Sequence, residues 1–200
     1  MSAPSDSLRA RKKAKTRATI REQAMRLIEE QGYAATTVEQ IAEASEISPS
    51  TFFRYFPTKE AAILVDDVDA VLVHAIRAQP AEFQAVEAIL RAVHEVFSNM
   101  SPETWEFERR RQALALGVPE LRARIMHQMT DAIDLVAAAI AERAGLPADD
   151  FSARVTAGAA VGAMLAVLPS SRVLTDGMTL HDYHRLEKAL TLLQKGLPLG

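Results

Sequence analysis

The sequence predicts an all-α fold: a small N-terminal unit of three helices containing a helix-turn-helix, followed by a larger helical domain, with about nine helices in all. Three observations carry this. Apolar residues recur at spacings of three and four along most of the chain. No run of alternating β-branched residues is bounded by hairpin turns. Proline and glycine fall between the periodic stretches, where helices start and stop.

The elements follow in order. Ile20, Ala24, Leu27 and Ile28 form one apolar stripe of a first helix, and Gly32 stands where a left-handed cap would end it. Thr37 and Gln40 have the spacing of a capping box, opening a short second helix with Val38, Ile41 and Ala42 facing inward. Ser48 before Pro49 is an N-cap followed by a first-turn proline, so a third helix starts there and stops at Pro57. Thr58 caps a fourth, longer helix expected to run to about Gln79. Further helices are expected at about 81–99, 102–115, 119–144, 149–168 and 180–196. Ser101-Pro102, Gly117 with Pro119, Gly145 with Pro147, and the loop from Pro169 to Gly177 punctuate them. No low-complexity linker intervenes, so the fourth helix is expected to join the two parts rigidly.

With 48% apolar and 24% charged residues, the 200-residue chain has the composition of a folded globular protein rather than of a disordered or membrane one. The absence of cysteine excludes disulfides and thiolate metal sites. The basic start lacks a signal-type apolar stretch, and the apolar run from Val155 to Leu168 is too short to span a bilayer, so a cytoplasmic location is expected.

A net charge of -3 conceals an uneven distribution. Met1 to Arg26 holds eight basic and two acidic residues, a net of +6, whereas residues 61–200 hold thirteen basic and eighteen acidic, a net of -5. A basic end on an acidic body points to an anion-binding module attached to something with another task. The first thirteen residues are expected to be a flexible basic arm, serving either as a solubility tail or as added contacts to phosphate or the minor groove.

Thr37 to Phe56 has the length of helix, tight turn and helix. Its second helix offers Ser48, Ser50, Thr51 and Arg54 as groups able to reach phosphates or base edges, while Phe52 and Phe56, four apart, anchor it inward. Phe53 and Tyr55 are the more exposed aromatics, suited to a thymine methyl and a phosphate respectively. Lys59 is a cation in the first turn of the fourth helix, where the helix dipole disfavours it by up to about 1 kcal/mol unless an anion is near. It therefore reads as a clamp on the DNA backbone.

The segments GYAATTVEQIAEAS and ISPSTFFRYFPTKE resemble the DNA-binding domain of the tetracycline-repressor (TetR) family, over roughly residues 12 to 65. The resemblance implies residues 14–60 as the DNA-binding domain, with the helix-turn-helix at 37–56 and TFFRYF in the recognition helix. Residues 61–200 become a regulatory and dimerisation domain. It implies Thr37, Ser48, Ser50, Thr51, Tyr55 and Lys59 as DNA contacts, with Arg17 and Arg54 as further candidates. Two positions depart from the family pattern. Glu46 stands where glycine is usual, so a side-chain-bearing residue is expected in a left-handed conformation at a cost of about 1 kcal/mol. Phe53 replaces a frequent tyrosine, removing a hydroxyl contact.

In the larger domain, Phe83, Phe97, Met100, Trp105, Phe107, Met126 and Met129 either line an apolar effector pocket or simply fill the core; Phe97, Met100, Trp105, Met126 and Met129 are the pocket candidates. Arg109, Arg110 and Arg111 beside Glu106 and Glu108 read as a solvated, salt-bridged face. Gly158 and Gly162 allow a close helix approach. By the resemblance, Val155, Ala159, Gly162, Leu186, Leu190 and Leu193 belong to a four-helix dimer interface, the alternative being packing within one subunit.

No zincin spacing follows His94-Glu95, and neither His181, Asp182 and His184 nor His127 and Asp131 make a complete ligand set. No phosphate-binding glycine loop or nucleophile elbow occurs, so no metal, cofactor or enzymatic activity is expected. The expected function is regulation of transcription, as a small-molecule-responsive repressor that binds a palindromic double-stranded operator as a homodimer. An effector preferring one spacing of the recognition helices would act through the fourth helix as lever. The alternative is a helical ligand-carrier or protein-interaction module without DNA binding.

Overall fold

The computed structural model describes residues 4–64, 67–167 and 177–198. Among them it contains helices and no strand. They divide into two compact units, Met1–Val65 and Asp66–Gly200.

The first unit comprises α1 (Pro4–Gln31), α2 (Val38–Ala44), α3 (Pro49–Tyr55) and α4 (Lys59–Leu64). Ile20, Ala24, Met25 and Ile28 of α1 are buried together with Ile41 and Ala42 of α2, Phe52 and Phe56 around α3, and Ala62 and Ile63 of α4. Each large side chain so removed from water contributes about 1.5–3 kcal/mol, which lets three short helices hold to one long one. The helix α1 begins at Pro4, so residues expected as a flexible arm are helical. Ala10 to Lys15 are good helix formers without Gly or Pro, and Thr16 and Thr19 bond back to the carbonyls of Lys12 and Lys15.

The second unit comprises α5 (Asp67–Ala78), α6 (Ala85–Ser98), α7 (Pro102–Gly117), α8 (Pro119–Ala144), α9 (Phe151–Val167) and α10 (Leu180–Gln194). Its core draws Ile76, Ile89, Val93, Ile140, Ala157 and Leu190 from α5, α6, α8, α9 and α10. The expected long fourth helix corresponds to α4 and α5, and the joint itself, residues 65–66, lies outside the described residues. Most of the loop from Pro169 to Gly177 lies outside them too.

The helix expected from about 81 begins instead at Ala85. A turn follows Pro80, with the Phe83 N–H donating to the Pro80 carbonyl (3.2 Å), and Arg143 of α8 donates to the carbonyls of Gln79, Pro80 and Phe83. Arg143 thus satisfies backbone acceptors that a helix would have used. Gly177 has a φ of 72°, and a Cβ there would fall 2.1 Å from the Arg109 carbonyl oxygen, so only glycine lets the chain pass α7 at this point.

Two surface expectations are corrected. Arg111 and Glu108 are each only 5% exposed and form an ion pair (Nε to Oε2, 2.6 Å), because their face of α7 turns inward; Arg109 with Glu106 keeps the solvated arrangement. Leu186 and Leu190 are buried within the chain, where their stripe of α10 meets the core, so they present no surface to a second subunit.

Candidate nucleic-acid interface and ligand cavity

The geometry of the helix-turn-helix comes from local caps. The Thr37 hydroxyl accepts from the Gln40 N–H (3.3 Å), and the Gln40 side chain accepts from the Thr37 N–H (2.9 Å), closing the capping box that starts α2. Glu39, exposed in that first turn, has its carboxyl held below the usual range, first by its own backbone amide and then by the Thr37 hydroxyl. At the other end, the Ile47 N–H donates to the Ala42 carbonyl and the Glu46 N–H to that of Glu43, both at 3.0 Å. This is a Schellman closure with Glu46 as its left-handed residue, at a φ of 56°. The departure from glycine therefore carries the backbone strain expected of it.

The helix α3 opens at Ser48, whose Oγ accepts from the Thr51 N–H (3.1 Å), with Pro49 in the first turn. Phe52 is 0% and Phe56 1% exposed, whereas Phe53 is 53% exposed. The aromatic set is thus split between an anchor and an outward face. Ser48, Ser50 and Arg54 are exposed, and Thr51 and Tyr55 half-buried. The hydroxyls of Ser48 and Ser50 lie 2.9 Å apart, and the Ser48 hydroxyl donates to Thr51 Oγ1 (3.0 Å), making a continuous polar edge. The Arg54 guanidinium lies 5.6 Å from the centroid of the Tyr55 ring. Arg17 of α1 stands over Phe56 at 4.7 Å, within cation-π range and at the rear of the α3 anchor.

Lys59 has a different setting from the one its sequence position suggests. Its Nζ donates to the carbonyls of Tyr33 (2.7 Å) and Thr36 (2.8 Å) and lies 4.0 Å over the Tyr33 ring. Tyr33 in turn donates its hydroxyl to the Glu60 carboxylate. The cation at the start of α4 is thus compensated inside the chain, and it ties that start to the loop between α1 and α2.

The second unit holds a cavity of about 140 Å³, lined by residues of α5 to α10 and by Met178 just before α10. Among the pocket candidates whose side chains are described, only Phe97 is on its wall. Trp105 stands one shell out, 6.2 Å from Phe97 and 4.6 Å from Tyr183 between ring centroids. Met100 and Met129 are half-buried but off the wall, and the Met126 side chain lies outside the described ones. Gln112 and Tyr183 are wall residues that the sequence did not single out, and Glu108, read from sequence as part of a solvated face, is a third. Glu108 and Gln112, four apart on α7, were a visible i, i+4 polar pair; nothing local joins them to Tyr183, 71 residues beyond Gln112.

Val155 (53% exposed), Ala159 and Gly162 lie on the outer side of α9 with Phe151 (77% exposed), and Leu193 is half-buried. Among the described residues no helix is long and apolar enough to cross a membrane, and no group of three or more His, Asp or Glu is placed to hold a metal.

Comparison with known proteins agrees with this division. Residues 20–64 match the model of bacterial regulatory proteins of the tetR family, and residues 83–198 match that of the MftR C-terminal domain. The chain is 33% identical over 150 residues to the HTH-type transcriptional regulator TcmR of Streptomyces glaucescens, covering 72% of this chain and 66% of that protein. It is 35% identical over 88 residues to the HTH-type transcriptional regulator EthR of Mycolicibacterium smegmatis, covering 41% of this chain and 39% of that protein. The matches thus span just under two thirds, and about two fifths, of these relatives' own lengths. Among solved structures, the TetR family repressor FadR of Thermus thermophilus in complex with lauroyl-CoA superposes with a TM-score of 0.55 at 26% identity, covering 92% of this chain and 96% of that one. With an N-terminal helix-turn-helix unit and a helical C-terminal unit each matched by its own family model, the chain belongs to the tetR family of bacterial regulatory proteins.

Proposed function

We propose that the protein regulates transcription by binding operator DNA as a homodimer through α2 and α3, and that a small molecule in the cavity of the second unit alters that binding. The observation that carries the reading is α3 itself: a short helix pinned from behind by Phe52 and Phe56, with Ser48, Ser50, Thr51, Arg54 and Tyr55 along its free edge. A helix so held can enter a major groove without losing its packing, and its groups donate and accept as base edges and phosphates require. In this reading α3, with its TFFRYF segment, is the recognition helix. Ser50, Arg54 and Tyr55 face the duplex, Thr37 and Ser48 touch phosphates, and Phe53 meets a thymine methyl. Arg17 and the basic start of α1 add charge. Lys59 acts chiefly as a positioning group for the loop before α2, through the carbonyls it binds.

Dimerisation is supported by the outer side of α9, where Val155, Ala159 and Gly162 make a shallow apolar surface flanked by Phe151. A twofold dimer would set two recognition helices against successive major grooves, and so favour a palindromic operator. Control by a small molecule is supported by the cavity and by the lauroyl-CoA bound in the FadR structure. That relative is a transcriptional repressor.

The test is a mobility shift with labelled fragments from upstream of the protein's own gene and its neighbours. One fragment should shift at nanomolar protein and be displaced by its unlabelled self but not by equal unrelated DNA. If unrelated DNA displaces every fragment equally well, sequence-specific regulation is excluded, and the ligand-carrier alternative takes its place.

A further inference from the structure

We infer that the cavity of the second unit is built for an apolar ligand whose polar group is a hydrogen-bond donor rather than an anion. This rests on the reading of that unit as a ligand-binding domain. The walls are mostly aliphatic, with Leu72, Ile76, Val93, Val136 and Leu190 from four different helices. Polar side chains on the wall, among the described residues, are those of Glu108, Gln112 and Tyr183. A ligand therefore meets polarity chiefly where α7 faces α10.

The charged group on that wall is the Glu108 carboxylate, which Arg111 pairs with. Glu108 and Arg111 are both 5% exposed, and the Arg111 Nε donates to Glu108 Oε2 at 2.6 Å. Glu108 is on the cavity wall, whereas Arg111 is not. The pair is thus a dipole with its negative end toward the ligand and its positive end behind. Inside an apolar cavity such a field is screened far less than in water. A ligand carboxylate would lose its hydration and meet a second carboxylate. A hydroxyl or ammonium would instead donate to the acidic end and gain from the same field.

Gln112 gives this contact a route to the fold. Its Nε2 donates to Tyr183 Oη (3.3 Å) and its Oε1 accepts from the Met178 N–H (3.3 Å), so one amide links α7 to the start of α10 beside the ligand's polar end. A dry cavity of roughly 150 Å³ accommodates benzene, so a single ring with a short substituent matches the 140 Å³ present.

Toluene, benzyl alcohol, benzylamine and benzoate keep one ring and change only the head, which isolates the inference. The full-length protein is titrated with each at pH 7, read by the fluorescence of Trp105, the single tryptophan, and by thermal melting. Benzyl alcohol and benzylamine are expected to bind at least about ten-fold more tightly than benzoate, and more tightly than toluene. Glu108→Gln should shrink the gap between benzylamine and benzoate to below about three-fold. If that variant does not fold, because Arg111 is left without its carboxylate, Glu108→Gln combined with Arg111→Met serves the same purpose. Benzoate binding as tightly as benzylamine would overturn the donor-head inference while leaving the ligand cavity standing. No saturable binding of any of the four would overturn the ligand-binding reading as well.

Discussion

At Glu46 the backbone holds a φ of 56° to close α2 and turn into α3. The left-handed region costs a residue with a Cβ about 1–2 kcal/mol, and glycine would give back part of that gain through its greater conformational freedom in the unfolded chain. Glu46→Gly should therefore stabilise the protein by about 0.5–1 kcal/mol, seen as a rise of about 1–3 °C in the melting temperature. A lower melting temperature would mean that the Glu46 side chain contributes more than its backbone strain removes. Lys59 presents the opposite case, a residue whose role lies in what its charge touches. Lys59→Met keeps the length of the side chain but loses two charge-assisted bonds to the Tyr33 and Thr36 carbonyls. A loss of about 1–2 kcal/mol in urea unfolding is expected. An unchanged midpoint would mean that water replaces the ammonium at no cost.

At the scale of elements, α1 is the one whose extent differs most from expectation. Its exposed first turns carry Arg9, Arg11, Lys12, Lys13 and Lys15. Deleting residues 1–13 should weaken operator binding and flatten the slope of log K against log salt by about one to three units, since each phosphate contact contributes close to one. Equal affinity and slope would remove these turns from the interface. That α2 and α3 are legible in the local sequence while the helical start of α1 is not is a matter of range. Thr37 with Gln40, Ser48 with Pro49, and Gly32 act on backbone groups within a few residues, so their consequences are visible in the local sequence. The first turns of α1 have helix-forming residues but no apolar stripe to announce them. Lys59 was recognised as anomalous, but the carbonyls that answer it come from residues 23 and 26 positions earlier. The cavity was least legible of all. Phe97 was expected there, but Glu108, Gln112 and Tyr183 become neighbours only when α7 packs beside α10, and methionine or aromatic character alone does not separate a wall from a core.

For the whole molecule, the proposed function requires that two copies assemble. The outer side of α9 is built from small and apolar residues, and a charge placed in its middle would have to be buried in any dimer made there. Ala159→Arg should reduce the mass in solution from twice the chain's 21.9 kDa to that value, by light scattering after size exclusion. Operator affinity should fall with it, because a monomer engages one half-site only. A dimer that survives this change would place the interface elsewhere. Leu186 and Leu190, by contrast, are suited to stability measurements rather than to dimer tests, since their side chains are buried within one chain.

The outward edge of α3 bears the function proposed here, and one titration addresses it most directly. A labelled operator duplex is followed by fluorescence anisotropy against the parent protein and against the combined variant Ser50→Ala, Arg54→Ala, Tyr55→Ala, which leaves Phe52, Phe56 and the Ser48 cap in place. The expected result is binding weakened by about 100-fold or more, with helix content and cooperative melting retained. Affinity equal to that of the parent, in a variant that is still folded, would contradict the assignment of α3 to the DNA groove.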